Sequence, residues 1–571
     1  MITCKLKCVF LVILSVFSFG VSNAGGGKIL VAPDTANEDT ANIPKDWFLK
    51  DPETDHLQGI SVEKTYMTLL KGKPSKTVLV AVIDSGIDIE HEDLKDIIWT
   101  NEDEIPANGI DDDKNGYIDD IHGWNFLGGK DGKNVDEDTY EVTREYARLK
   151  PLYENVEEAK VSKKNKVEFA LWQRVKAKYE RDFKSNKDQY DQYKQQYDLY
   201  QNAYVTLDFC DSIISKSMGG RSIMKSSLSE INTTNDTIRF AKETLTKVLE
   251  NVDGDIAVSE FLTELQQYLA QLKEGLDHYG TAVEYGYNLE FNSRKIVGDD
   301  PNNLYEKGYG NNDVEGPDAR HGTHVAGIIG ANRNNEVGIK GIADNVRIMV
   351  LRAVPNGDER DKDIANAITY AVDNGAKVIN MSFGKAFSPQ KEAVDKAVKY
   401  AESKGVLMVH AAGNDGDNID KEENFPSRVL KNGTEVRSWL EIGASSYGAD
   451  EHFVATFSNY GKKSVDLFAP GVEMYSTVPN NQYEDLQGTS FASPATAGVA
   501  ALLLSYYPDL TAAQLKDILR QSTRKFDGLK VTKPGTTDEV LFTTLSSTGG
   551  LVNAYEAVKL AESFKSAPKG K

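Results

Sequence analysis

The chain has 571 residues, enough for one large domain with a second one inserted into it. Acidic side chains exceed basic ones to leave a net charge of −21, which argues against nucleic acid and anionic membrane as partners. Two of the three cysteines, Cys4 and Cys8, lie at the very start, so only Cys210 falls in the body and no disulfide is expected there.

The first residues have the pattern of a signal peptide over 1–24. Lys5 and Lys7 form the positive end, 9–19 the apolar run, and Ser22-Asn23-Ala24 a small-residue cleavage site. The apolar run is short for a bilayer span and no Cys follows it, so no stable membrane anchor is expected after signal removal. The expected location is periplasmic or extracellular. An exported chain without disulfides needs another staple, and bound Ca2+ is the expected one. A polar, Gly- and Asp-rich flexible lead follows over 25–45, too short to hold a core of its own.

The first main domain opens near Trp47-Phe48. Val80-Ala81-Val82-Ile83-Asp84-Ser85-Gly86 is an apolar strand that delivers a carboxylate at its end. His91-Glu92-Asp93-Leu94 lacks the second His of a zinc helix, which leaves Asp93 as a turn cap or a calcium ligand. In Asp111-Asp112-Asp113-Lys114-Asn115-Gly116-Tyr117-Ile118-Asp119-Asp120 the alternation of Asp111, Asp113 and Asn115 lets oxygens converge, and Gly116 permits the sharp turn. Position twelve is His122, so this is not an EF-hand. Asp119 or Asp120 is expected to complete the set, with Tyr117 as a further candidate ligand.

Residues 135–284 differ in character. Tyr190, Tyr193, Tyr197, Tyr200, Tyr204 and Leu207 recur at spacings of three and four, and Trp172, Val175, Tyr179 and Phe183 extend the stripe backwards. Ile238, Ala241, Leu245, Val248 and Val252 mark a second helix, and Leu262, Leu265, Leu269, Leu272 and Leu276 a third. The pattern predicts an inserted all-α bundle or hairpin whose tyrosines are mostly core.

From 285 to 564 strand and helix alternate. Strands are expected at 346–354, 377–382, 405–412, 441–444 and 465–468, and helices at 364–374 and 389–404. This predicts an α/β domain, a mainly parallel sheet with helices on both faces. Within it, His321-Gly322-Thr323-His324 puts a His on a Gly-rich turn before a tightly packed helix. Gly488-Thr489-Ser490-Phe491-Ala492-Ser493-Pro494 puts a hydroxyl at the start of a small-residue helix, with Pro494 expected in its first turn. A Lys-rich solvated tail closes the chain at 565–571.

Asp84, His321 and Ser490 occur in the chain order of the subtilisin triad. With Ala411-Ala412-Gly413-Asn414 as a fourth motif, the chain resembles the subtilisin-like (subtilase) serine endopeptidases over about 45–130 and 285–560. The resemblance implies Ser490 as nucleophile, His321 as base and Asp84 as the group that orients it. It implies Asn414 as oxyanion donor and His324 as a structural neighbour. It also makes Ser382, Phe383 and Gly384, with Ala411, Ala412 and Gly413, the two edges that pair with a protein or peptide substrate. A second calcium position is suggested by Asp93 with Asn335 in the loop Asn335-Glu336-Val337-Gly338-Ile339. Two departures stand out: the long segment between Asp84 and His321, and Ala495 where the family often has His. No folding pro-domain is expected in the short lead. A different class of function, an adhesion or scaffold protein with a vestigial protease core and a partner on the helical insertion, would not need to keep all four motifs. A sedolisin-type acid peptidase is excluded by His321 in the base position.

Overall fold

A strand covered on both faces must be apolar at nearly every position. The first strand, β1 (Val78–Asp84), meets that demand up to its terminal carboxylate. Its side chains alternate between two cores: Val80 and Val82 face one, Ala81 and Ile83 the other. This computed structural model describes residues 43–566, so the expected signal peptide, the lead up to residue 42 and the tail from 567 lie outside the described residues.

Further strands are β2 (Gly123–Asn125), β3 (Val346–Arg352), β4 (Val378–Met381), β5 (Leu407–Ala411), β6 (Trp439–Ser445), β7 (Leu467–Pro470), β8 (Met474–Val478), β9 (Gln482–Leu486), β10 (Arg524–Lys525), β11 (Lys530–Thr532), β12 (Glu539–Leu541) and β13 (Gly550–Leu551). With β1, eight of these described strands form one sheet in the order β10-β13-β7-β6-β5-β4-β1-β3-β2. Every neighbouring pair in it is parallel except β10 with β13. β8 with β9 and β11 with β12 form separate antiparallel pairs.

The helices that matter here are α1 (Glu141–Tyr153), α2 (Lys166–Ser217), α3 (Asp236–Leu249), α4 (Val258–Thr281), α5 (Arg320–Gly330), α6 (Asp361–Asp373), α7 (Lys391–Ser403), α8 (Thr489–Tyr506), α9 (Ala512–Gln521) and α10 (Ala554–Ser566). Apolar residues of α5, α8, α9 and α10 pack on the sheet face that carries Val80, Ile348 and Val409. Those of α6 and α7 pack on the face that carries Ile83, Leu351 and Met408. The expected parallel sheet with helices on both faces is therefore present.

The chain divides into two compact units, one of them the sheet unit, Ile43–Val175 with Asn288–Lys571. The other contains Lys176–Tyr287. Sequence pattern alone opens the insertion at 135, whereas here α1 and the first residues of α2 belong to the sheet unit. Val135 already sits in the core beside α6 and α7. The helical unit has its own core, in which Leu207, Cys210 and Ile214 of α2 meet Leu245 and Val248 of α3 and Leu265 and Leu269 of α4. Of the tyrosine stripe, Tyr200 is buried and lies edge-on to Tyr268 at 5.2 Å, while Tyr193, Tyr197 and Tyr204 are half-buried against the same core.

Leu245 is fully buried at the centre of that core. Leu245→Ala should lower the unfolding free energy of the helical unit by about 2–5 kcal/mol, through lost burial and the cavity left behind. Urea unfolding followed by far-UV circular dichroism checks this, and an unchanged midpoint would contradict the packing described.

Candidate active site

The sheet order reverses at β1: the chain leaves its carboxyl end, builds β3 on one side and then β4 on the other. In open α/β sheets such a crevice, at the carboxyl ends of the strands, is where ligands bind. Asp84 is the residue standing there. It is almost fully buried, and its Oδ1 accepts from the Ser85 amide at 2.8 Å and contacts Nδ1 of His321 at 2.6 Å.

His321 is the second residue of α5 and thus lies inside the helix, rather than on a turn before it. Gly322 allows the close approach, since a Cβ there would stand 2.1 Å from the Gly86 carbonyl oxygen. Burial opposes a charge on the imidazole, but Asp84 outweighs it and raises the His321 pKa above the ordinary histidine value. Three residues on, His324 shows the opposite balance. Burial drives its pKa down to about 3, and Nε2 donates to the Glu484 carbonyl at 3.1 Å, so it stays neutral.

Ser490 is the second residue of α8. Pro494 stands inside α8, past the first turn where the sequence pattern puts it. A proline there cannot donate to the carbonyl four residues back. That carbonyl belongs to Ser490, and it is taken by the Ser382 hydroxyl at 2.7 Å. The Ser490 hydroxyl in turn donates to the Ser382 carbonyl at 3.1 Å, rather than to His321. Behind this pair, Asn380 Nδ2 donates to the Ser382 hydroxyl at 2.9 Å, and Asn380 Oδ1 accepts from Ser493 at 2.8 Å.

Asn414 follows the end of β5. Its Oδ1 accepts from the Thr489 amide and the Thr489 hydroxyl, both at 2.9 Å, which aims Nδ2 the other way. A Cβ placed on Gly488 would lie 3.6 Å from both Asn414 Nδ2 and the Ser490 amide nitrogen. The space that Gly488 leaves open is thus faced by two N–H donors beside Ser490.

The two expected substrate edges flank this point. Ser382, Phe383 and Gly384 follow β4, and Ala411, Ala412 and Gly413 run off β5. Asn424, which sequence motifs did not single out, reaches the second edge. Its Nδ2 donates to the carbonyls of Ala412 at 3.0 Å and Ala411 at 3.3 Å.

The acidic loop also closes on itself. Carboxylate oxygens of Glu104, Asp111 and Asp113 lie within 4.8 Å of one another. Glu104 stands outside the alternating pattern, so spacing gave no signal for it. Asn115 joins the set through its amide, which donates to Asp113 at 2.9 Å and Asp120 at 2.9 Å. Burial raises Asp120 to about 6 despite bonds from Tyr370, Asn115 and Asn101. Asp119 accepts the Asn108 and Gly109 amides at 3.1 and 2.9 Å, and the Tyr117 ring packs into the core against Trp124. Elsewhere, Asn335 Nδ2 donates to Asp93 at 2.8 Å and the Ile339 amide donates to it at 3.0 Å. Burial raises the Asp93 pKa.

Residues 75–543 match the model of the subtilase family, Peptidase_S8. The chain is 37% identical over 240 residues to thermitase of Thermoactinomyces vulgaris, a match that covers 42% of this chain and 75% of that one. It is 40% identical to the thermophilic serine proteinase of Bacillus sp. (strain AK1), over 39% of this chain and 52% of that protein. It therefore spans about half the length of that relative. A solved cold-adapted subtilisin-like serine proteinase is 30% identical and covers 43% of this chain and 78% of its own, with a TM-score of 0.34. The chain belongs to the subtilase family.

Gly322→Ala should force α5 away from the end of β1, because the atom in the way is backbone. The 2.6 Å contact of His321 with Asp84 would lengthen. The His321 pKa, followed by NMR titration, should then fall toward the ordinary histidine value. An unmoved titration would show that the contact does not depend on this glycine.

Proposed function

We propose that the chain is an exported serine endopeptidase that hydrolyses peptide bonds in proteins through Asp84, His321 and Ser490. The observation that carries the proposal is the 2.6 Å contact of the buried Asp84 with the half-exposed His321, set beside a helix start that bears Ser490. A serine hydroxyl is a weak nucleophile until a base takes its proton. His321 serves as that base once Ser490 turns about χ1 away from the Ser382 carbonyl, a rotamer change that is fast on the timescale of turnover. Ser490 Oγ then attacks the substrate carbonyl carbon. His321 carries the proton to the leaving amine, and Asp84 holds the tautomer and stabilises the imidazolium. Asn414 Nδ2 and the Ser490 amide donate to the oxyanion in the space beside Gly488. A water molecule, activated by the same His321, hydrolyses the acyl-enzyme. The substrate backbone pairs with the edges at 382–384 and 411–413.

Export is supported by the signal-like pattern of 1–24, and no described helix is long and apolar enough to cross a membrane. Calcium is supported by the hard-oxygen donor set of Glu104, Asp111 and Asp113, with Asn115 and Asp120 bonded to one another beside them. When bound there, the ion would cross-link the loop and stabilise the native state. Asp93 and Asn335 are the candidates for a second position.

Ser490→Ala should abolish casein hydrolysis and fluorophosphonate labelling while leaving the circular dichroism spectrum unchanged. Asn414→Ala should lower kcat by about 10²–10³ with little change in KM, because its donor matters most in the transition state. Casein hydrolysis that survives in purified Ser490→Ala enzyme would refute the assignment.

Calcium removal should lower Tm, since an ion that binds only the native state stabilises it by mass action. Glu104→Gln should remove much of that dependence. Identical melting curves in EGTA and in millimolar calcium would sink the calcium assignment.

A further inference from the structure

The edge at 382–384 ends on Lys385, a residue no sequence motif marked. Its side chain is 2% exposed, an uncommon place for an ammonium. The ammonium donates to Glu141 Oε2 and to the Glu359 carbonyl, both at 2.7 Å, and forms an ion pair with Asp361 Oδ1 at 2.8 Å. Its backbone is held as tightly on the other side. The Lys385 amide donates to the Phe425 carbonyl at 3.0 Å, and the Phe425 amide donates to the Lys385 carbonyl at 2.9 Å.

Glu141 opens α1, which lies in the segment between Asp84 and His321. Its amide donates to Asp358 at 2.8 Å, and Arg144 Nη2 meets Oε2 at 2.8 Å. Burial works against the charge on Glu141, but Arg144 and Lys385 outweigh it and hold the carboxyl well below the usual range. Burial raises the pKa of the nearby Glu359 carboxyl. The carboxylates in direct contact with the Lys385 ammonium are those of Glu141 and Asp361.

At the other end of the edge, Ser382 is tied to Ser490 by the reciprocal bonds described above. One end of the short edge is anchored on the α8 helix and the other on α1 and the start of α6. We propose that Glu141 is a positioning residue for substrate binding, acting through Lys385 to hold the edge at 382–384 in a conformation that pairs with an extended peptide. This rests on the reading of 382–384 as a substrate-pairing edge. The edge lengthens away from Ser490 by about 3.3 Å per residue, so Lys385 lies about 10 Å along it from Ser382. A substrate with one residue before the scissile bond does not reach that far; one with four residues does. The effect of Glu141 belongs to the longer substrate alone, and to KM more than to kcat.

The test compares a one-residue chromogenic ester with a four-residue chromogenic amide on the full chain and on Glu141→Gln. The expected result is a KM about tenfold higher for the amide, since one partner of a buried pair is lost, with kcat within about twofold and the ester unaffected. Hydrogen exchange at the Lys385 and Phe425 amides should accelerate by about tenfold or more, while exchange in β1 and β4 stays slow. Unchanged kinetics and unchanged exchange would overturn the proposal, as would an equal fall in kcat for both substrates. Should Glu141→Gln fail to fold, Lys385→Met leaves Glu141 paired to Arg144 and should give the same split. If the unsubstituted chain hydrolyses neither substrate and Ser490 takes no fluorophosphonate, the endopeptidase reading falls. The exchange measurement needs no turnover and still decides whether Glu141 holds the edge.

Discussion

A proline without an N–H sets the geometry of the candidate site. Pro494 leaves the half-buried Ser490 carbonyl without its helical donor, and a carbonyl shielded from water needs another. The Ser382 hydroxyl supplies the bond at 2.7 Å. That contact fixes the distance between the helix that carries Ser490 and the strand end that begins the edge at 382–384. Asn380 and Ser493 extend the bonding inward, and Ser493 also donates to the Val409 carbonyl at 3.2 Å on the next strand. Ser490, the edge at 382–384 and the two central strands are thus joined by a chain of directional bonds among small side chains, each of which leaves little conformational freedom.

The sheet supplies the second constraint. Asp84 meets His321 because β1 is the strand at which the order turns, and its carboxyl end opens between β3 and β4. The Asp84 backbone carbonyl accepts the amides of Ala353 and Val354, just past β3, which ties the strand end down. A long segment can enter the chain between Asp84 and His321 without disturbing this, because α5 docks on β1 through residues near His321 itself. The helical unit buries its own apolar stripes, so its presence asks nothing of the sheet core.

What the sequence made legible follows from where the physics is local. The strands at β1, β3, β4 and β5 are covered on both faces, so their composition declares them. The motifs around Asp84, His321, Asn414 and Ser490 are short stretches in which every residue has a steric or bonding duty. The β8–β9 pair leaves little signal in the sequence, because Gln482 to Leu486 is partly exposed and mixed in polarity, with no apolar run. Glu104 reaches Asp111 and Asp113 through a turn, and Asn424 folds back onto the carbonyls of Ala411 and Ala412 from the loop after β5. Neither proximity leaves a trace in spacing. Pro494 lies deeper in α8 than local pattern predicts for a related reason: the helix starts at Thr489, where Asn414, distant in sequence, accepts the Thr489 amide at 2.9 Å.

The segment Asp358-Glu359-Arg360-Asp361-Lys362-Asp363 runs furthest against composition. Six consecutive charges suggest a solvated turn. Here Glu359, Asp361, Lys362 and Asp363 are buried. Arg360 pairs with Asp138 at 2.8 Å, Asp361 with Lys385 at 2.8 Å, Lys362 with Asp299 at 2.6 Å and Asp363 with Arg294 at 2.6 Å. Buried pairs of this kind add little net stability over an apolar core, since desolvation offsets most of their attraction. Their effect is on specificity of arrangement, because breaking any one strands a charge where water cannot reach it. The partners come from residues 138–141, 294–299 and 385, on either side of the inserted helices and at the edge beside Ser490. The start of α6 therefore ties residues 138–141, 294–299 and the end of the edge together within the sheet unit, and does so in a chain whose described residues contain a single, unpaired cysteine.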